Sequence, residues 1–571
     1  MLRVNLVQCE AVRPLLWRVV LAGSLASGLL LSSPCGAQDA GELLQEWRIT
    51  PRLSVGTTYS DNIRLAPADE AEGDLVLQVD PGVSIRKQGG RLDLRLDYTA
   101  QGLLYANNTD ASKINNNLLA FGTAELYQDH LFVDAYGSIS QVPVTSGGRV
   151  DAGNLGLGGG GTSGGALGLI NFNLGVLPGA ADLFNPVGIF GNIALTGNDQ
   201  TTAANFGISP SWRRNFGDWA KALLRYRYND TGYGQSEFNS QTQAVTFNLD
   251  SGRRFSRLGW NLAYSYQQQD GQQSSNVQEG GNSNLGGGNT QQESVSGQLS
   301  YKLSDAWKLL AQGGYDNNTG YTDNQNGAHW GLGATWTPSR FYSLTGLYGL
   351  NFNEIAVQWN PSPRTALQVS RSYQGVGTSP GVYWNGSLSY KTRYSVWSAS
   401  YTQEVTTVQE LLGNSLTGLG PDGQPIALDG QGQIILPNGS LGLTNQSFLR
   451  KFFTTGVTYQ RGRNALGFNA FSESREFQGA NLNNEDSYGL GALWTWRFAP
   501  RTASFLGTGW ERDDLGDDQQ NDYWVSVLGL ARVFSPDLGG LISYRYYQND
   551  ADPSDQGFRE NRLNARLSMK F

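Results

Sequence analysis

Two histidines, His130 and His329, are the only imidazoles in this 571-residue chain, and its two cysteines, Cys9 and Cys35, both fall within the first 37 residues. The rest of the chain therefore has no thiolate ligand and no disulfide to offer. A Ser-His-acid hydrolase needs a serine and a carboxylate around one histidine. His329, set between Ala328 and Trp330, has no acidic residue nearer in sequence than Asp323. The strand pattern described below separates the two histidines by about 25 Å, too far to share a metal ion. Gly156-Leu157-Gly158 lacks the strand-turn-helix setting that a phosphate-binding loop requires. Asp513, Asp514, Asp517 and Asp518 could hold calcium or bridge to other anions through divalent ions. Their spacing fails the calcium-loop pattern, so a solvated acidic loop is the better reading. The expectation is a protein with no catalytic step, no cofactor and no metal.

What remains are charged residues that alternate with apolar ones. Leu92, Leu94, Leu96, Tyr98, Ala100, Gly102 and Leu104 fall on one face of an extended chain, and Arg91, Asp93, Arg95, Asp97, Thr99 and Gln101 on the other. A charged face of that kind needs water, and an apolar face of that length needs lipid or a second layer. Lys221, Arg225, Arg227, Arg545, Arg562, Arg566 and Lys570 follow the same rule. If the apolar faces look outward, these residues line a lumen and suit the passage of polar or anionic material. Equally, they could pair across strands and keep the lumen wet.

The elements that must position them are strands. No segment beyond the first forty residues is a long apolar run, which removes membrane helices, so a membrane protein of this composition would have to be a barrel. Arg3, Arg13 and Arg18 precede an apolar stretch from Val19 to Leu31, and Cys35-Gly36-Ala37 fits a small-residue cleavage site. Residues 1–37 read as an export leader cut between Ala37 and Gln38; Pro34 before Cys35 is a poor match to a lipoprotein site. Losing Arg3, Arg13, Arg18 and Glu10 takes 41 basic and 49 acidic residues to 38 and 48, a charge of −10 that argues against nucleic acid.

At the other end Leu563, Ala565, Leu567, Met569 and Phe571 alternate with Arg562, Asn564, Arg566, Ser568 and Lys570. Such a final strand, with Leu567, Met569 and Phe571 on its apolar face, resembles the signal by which the barrel assembly machinery recognises outer-membrane barrels. Short connections such as 338–340, 361–363 and 499–500 carry proline with serine or arginine, good tight-turn chemistry. They alternate with long polar loops, including the glycine-rich 142–202 and the long 407–447, as expected of periplasmic turns and extracellular loops. Following that alternation gives an all-β, large antiparallel transmembrane barrel of about 24 strands, within about 20 to 26, after a short periplasmic segment 38–52. The barrel occupies 53–571, and its count depends on splitting 341–360 at Asn351. Tyr226, Tyr228, Trp494, Trp496, Tyr544, Tyr546 and Tyr547 would form interfacial girdles.

At Trp47 to Leu65, Pro81 to Tyr105, Glu125 to Gln141, Leu388 to Leu412 and Phe448 to Phe477, the sequence resembles the outer-membrane β-barrel proteins associated with PEP-CTERM protein sorting and exopolysaccharide systems. The resemblance implies a multi-pass protein of the Gram-negative outer membrane, beside exopolysaccharide production, acting in export or secretion. It carries over no catalytic residue. Partners expected on this reading are outer-membrane lipid and lipopolysaccharide, the assembly machinery, and polysaccharide or secretion-system components. The competing readings are a general diffusion porin for small solutes and a secreted β-sandwich or propeller without a membrane role.

Overall fold

The computed structural model describes residues 47–87, 89–143, 200–234, 239–271, 289–321, 325–407, 447–477, 483–516, 519–552 and 557–571. The cleavage site at Ala37 and Gln38 and most of loops 142–202 and 407–447 lie outside the described residues. The first eight strands are β1 (Trp47–Ser60), β2 (Asp74–Lys87), β3 (Leu92–Tyr105), β4 (Lys113–Tyr127), β5 (Leu131–Pro143), β6 (Gln200–Asn215), β7 (Ala220–Tyr233) and β8 (Ser240–Ser251). Next come β9 (Leu258–Gly271), β10 (Thr290–Lys302), β11 (Trp307–Thr319), β12 (Gly327–Ser339), β13 (Tyr342–Leu350), β14 (Phe352–Ser362), β15 (Thr365–Gln374) and β16 (Gly381–Lys391). The last are β17 (Ser395–Thr406), β18 (Phe448–Arg461), β19 (Asn464–Phe477), β20 (Glu485–Ala499), β21 (Thr502–Asp514), β22 (Gln520–Ser535), β23 (Leu538–Asp552) and β24 (Phe558–Lys570).

Each strand pairs antiparallel with its chain neighbours, and β1 pairs with β24 as well as with β2, so the 24-stranded sheet closes on itself. A single closed sheet excludes the sandwich and propeller readings. With strands about 4.8 Å apart and tilted near 40°, such a cylinder is about 45 to 50 Å across at the backbone. One end is made of tight turns and the other mostly of longer connections, the single-residue β13–β14 link excepted, and we call them the turn end and the loop end.

The alternation that sets the register is visible in the burial of β24, where Arg562, Asn564, Arg566 and Ser568 are buried and Leu563, Leu567 and Met569 are exposed. Exposed apolar side chains recur on every side of the barrel: Leu299, Leu332, Ile355, Leu528 and Leu567 are all more than half exposed. A continuous apolar belt of this extent far exceeds the patches a water-soluble surface carries, and its solvent is lipid. The barrel spans a membrane.

Two local features differ from the sequence expectation or refine it. β1 begins at Trp47 rather than Leu53, because Trp47 to Arg52 continue the ladder opposite Lys87 to Gly82. The expected periplasmic segment 38–52 is thus partly strand. The split at Asn351 holds: with φ of 53° it makes the whole connection between β13 and β14, a left-handed conformation that asparagine tolerates. Tyr136 and Phe505 lean inward across Gly207 and Gly529, where any Cβ would collide with their rings.

Closure makes a direct prediction. Ser54 Oγ on β1 lies 3.0 Å from Ser568 Oγ on β24. In a chain without residues 1–37, the double variant S54C/S568C is therefore expected to oxidise to a disulfide that circularises the barrel. On denaturing gels the circle should migrate apart from the linear chain and revert on reduction; no reductant-sensitive species would mean that β1 and β24 do not meet.

Candidate functional site

Among the described residues, charged side chains from many strands converge on the lumen-facing wall, which changes character along the axis. At the turn end it is open to water. Arg48, Arg86, Lys221, Lys302, Lys308 and Lys391 sit on the inner-facing parity of their strands and are exposed. Lys302 holds Asp305 of the adjoining turn at 2.7 Å, and this contact keeps the Asp305 carboxyl below its usual range.

In the middle of the wall, charges pair. Asp97 accepts hydrogen bonds from Ser84 Oγ at 2.7 Å and Arg95 Nε at 3.0 Å, with Arg52 at 3.7 Å. Asp80 takes Gln78 Nε2 at 2.9 Å and meets Arg566 across β1. Asn564 Nδ2 donates to Thr58 Oγ1 at 2.7 Å.

Towards the loop end two carboxylates are fully enclosed. Glu560, 0% exposed, receives Ser60 Oγ at 2.5 Å, Arg562 at 2.6 Å and Arg545 at 2.8 Å. Glu473, also 0% exposed, takes Arg450 through both its Nε and a terminal nitrogen at 3.1 Å each, and Arg475 Nε at 3.2 Å. Such carboxylates are held in place by surrounding donors that each satisfy a lone pair, without which burying the charge would be strongly unfavourable.

Around the same level inward residues are buried on many of the strands, though not on β15 and β16, where inner-facing Gln374 and Asn385 are exposed. Tyr105, Thr231, Gln269, Asn318, Phe352 and Phe448 are buried examples from β3, β7, β9, β11, β14 and β18. Thr407 Oγ1 just beyond β17 lies 3.3 Å from Gln269 Oε1 on β9, a contact that reaches across the barrel rather than along the sheet. Gln325 and Gly377 form a β-bridge between the connections on either side of the β13–β14 hairpin. The inner wall is exposed at the turns and, outside β15 and β16, more deeply buried towards the loops.

Among the residues expected to line the lumen, Asp93 and Lys221 lie at its open end, as does Lys570 at the last position of β24. Arg95, Asp97, Arg225 and Arg227 occupy the wall above them, and Arg545, Arg562 and Arg566 join the buried pairs. Arg91 does not belong to the set. It sits in the turn ahead of β3, where its carbonyl accepts the Glu125 N–H at 2.8 Å. Tyr547 likewise leaves the expected girdle: it points inward, 2% exposed, against Tyr523 and Phe558, whereas Tyr544 is exposed on the outer face.

Sequence reading missed Glu473, Glu560 and Asp80. Extending the alternation two residues back from Arg562 would have found Glu560. His329 does have a carboxylate, Asp316 of β11 at 3.0 Å, brought opposite by strand pairing, and its ring lies 6.1 Å from that of Phe352. His130 meets Arg214 at 2.7 Å at the other end of the barrel.

The fold and this wall define a large membrane-spanning β-barrel whose inner wall is charged. No protein-family profile matches the chain, and no curated protein does. Among solved structures it is similar in outline to the siderophore receptor PirA from Pseudomonas aeruginosa, with a TM-score of 0.39, 9% identity, and 92% of this chain and 80% of that one covered. A mutant ferric enterobactin receptor PfeA from the same organism gives 0.42 at 10% identity, covering 92% and 80%. The FrpB iron transporter from Neisseria meningitidis (F5-1 variant) gives 0.41 at 12%, covering 93% and 84%.

Proposed function

We propose that this protein is a conduit of the Gram-negative outer membrane, serving polymer export beside exopolysaccharide production and performing no catalytic step. The turn end, which carries both ends of the strand series, is then periplasmic and the loop end extracellular. One observation carries the reading: a closed sheet of 24 strands, wide enough for a polymer, whose inner wall is lined by charge. The export leader, the amphipathic final strand and the resemblance to exopolysaccharide-associated barrels support the same assignment, as does the apolar belt for lipid and lipopolysaccharide. A general diffusion porin is less well supported, because 24 strands exceed the roughly 16 to 18 with which porins already hold an aqueous channel.

A strain lacking the protein is expected to lose surface polymer and accumulate it between the membranes, and the reconstituted barrel to rest at low conductance. Undiminished surface polymer together with a steady, open, porin-like conductance would overturn the conduit in favour of the porin.

A further inference from the structure

The most unusual arrangement of charge in the molecule lies at the open end of the lumen. In the ladder, Arg48 of β1 stands directly opposite Arg86 of β2, and Arg86 stands directly opposite Arg95 of β3. Three guanidinium side chains therefore form one row across three strands, on the inner face. Elsewhere on the rim Lys302 of β10 stands directly opposite Lys308 of β11. Like charges set opposite one another in a ladder destabilise it, and two such rows on one rim call for something that neutralises them.

The neighbouring carboxylates do so only in part. Arg95 holds Asp97 and Lys302 holds Asp305. Of the other inner-facing acids at this level, Asp93 lies two residues from Arg95, Asp134 accepts the Thr123 hydroxyl at 2.7 Å, Asp250 stands opposite Lys221 and is engaged by the Asn261 amide at 2.8 Å, and Glu125 is engaged by the Asp129 N–H at 2.5 Å. Arg213 and Lys221, on β6 and β7, add further positive charge to the same rim. Lipid headgroups are outside the barrel, whereas these side chains face its interior, so the counter-charge has to enter the lumen.

Beyond the rim, the inner faces of β9 to β11 present hydroxyls and amides, among them Ser265, Ser296, Gln298 and Gln312. Such groups exchange hydrogen bonds with hydroxyl-bearing chains without demanding charge. At the far end the wall's charges are buried in pairs, Glu473 with Arg450 and Arg475 and Glu560 with Arg545 and Arg562.

We propose that the rim built on Arg48, Arg86, Arg95, Lys302 and Lys308 is a capture collar for an acidic polysaccharide, which enters the lumen from the turn end. This deepens the conduit reading and rests on it. Attraction at the basic mouth raises the local concentration of a polyanion, and the hydroxyl and amide wall then accommodates its sugar rings.

Binding tests the collar independently of conduction. The full-length mature barrel in a zwitterionic detergent is titrated with fluorescent dextran sulfate and with uncharged dextran of equal length, across a range of salt. Dextran sulfate is expected to bind and uncharged dextran not to. The triple variant Arg48→Gln, Arg86→Gln, Lys308→Gln should bind about tenfold or more weakly, with the slope of log affinity against log salt reduced by about two to three. A triple of equal charge change at the loop end, Arg64→Gln, Lys113→Gln, Arg559→Gln, should bind as the parent does, and heat-modifiable migration reports that all variants are folded. Equal loss in both triples would overturn the collar. So would a single-stranded oligonucleotide that binds as tightly as dextran sulfate, or loss of binding in bilayer discs containing phosphatidylglycerol, which would assign the charge to nucleic acid or to lipid. A collar that binds in a barrel that never transports polymer would leave the collar standing and remove the conduit.

Discussion

Replacing Glu560 by alanine is expected to destabilise the barrel by about 3–5 kcal/mol, the loss typical of breaking a buried ion pair from one side. The carboxylate is fully enclosed and receives Arg545, Arg562 and Ser60 at once. Without it, two guanidinium groups less than a tenth exposed stand side by side, since Arg545 and Arg562 are cross-strand partners. Their mutual repulsion adds to their lost solvation. The triple replacement Arg545→Met, Glu560→Leu, Arg562→Met should recover most of the loss, because apolar residues of similar volume remove the charges together. Urea unfolding in detergent, followed by heat-modifiable migration, measures both. An E560A barrel within about 1 kcal/mol of the parent would show that the enclosed triad does not hold this seam.

Leu528→Arg should do comparable damage for an unrelated reason. Leu528 lies midway along β22, on the outer face, and is 55% exposed. In water an exposed leucine accepts arginine with little change, generally within about 0.5 kcal/mol. At the midplane of a bilayer the same exchange costs about 2–4 kcal/mol. The contrast makes the variant a direct assay of what surrounds the barrel: folding into vesicles should be impaired by that amount. The control Ser526→Arg, two residues nearer the loop end on the same face, should cost less, because the penalty falls with distance from the midplane. Equal, negligible effects from both would mean that this face does not meet lipid.

How far the sequence discloses such a molecule depends on the range over which information has to travel. Local signals read well. The alternation through Leu92 to Leu104, the tight turn at Pro338-Ser339-Arg340 and the break at Asn351 each depend on a few neighbouring residues, and together they pointed to about 24 strands, within about 20 to 26, which the closed sheet of 24 matches. Alternation also separated Arg562 and Arg566 from Leu563 and Leu567 correctly. It stumbled where strand and turn meet, as at Arg91, and where a strand runs past its obvious apolar residues, as at Trp47 to Arg52. Inner-wall chemistry was far less legible. Which arginine meets which carboxylate is fixed by cross-strand register: Asp316 reaches His329 because Gly314 pairs with His329 two residues away, and Asp80 reaches Arg566 through a strand at the other end of the chain. Period-two patterning says that a side chain faces inward. It carries no word on whether that inward position is wet or sealed.

The neighbour-by-neighbour order of the strands has a kinetic corollary. Twenty-three of the pairings join segments consecutive in the chain, and one, β1 with β24, joins residues 514 apart. Hairpins can form in sequence by closing short loops, each a small entropic step, whereas the final pairing must bring together the ends of a span for which the chain-entropy term, (3/2)RT ln n, is about 5–6 kcal/mol. Until it happens, the nascent sheet has two long unpaired edges, each a template for another chain. The seam is therefore the step of folding with the largest chain-entropy cost, and the Ser54–Ser568, Ser60–Glu560 and Asn564–Thr58 contacts along it offset part of that cost once it closes.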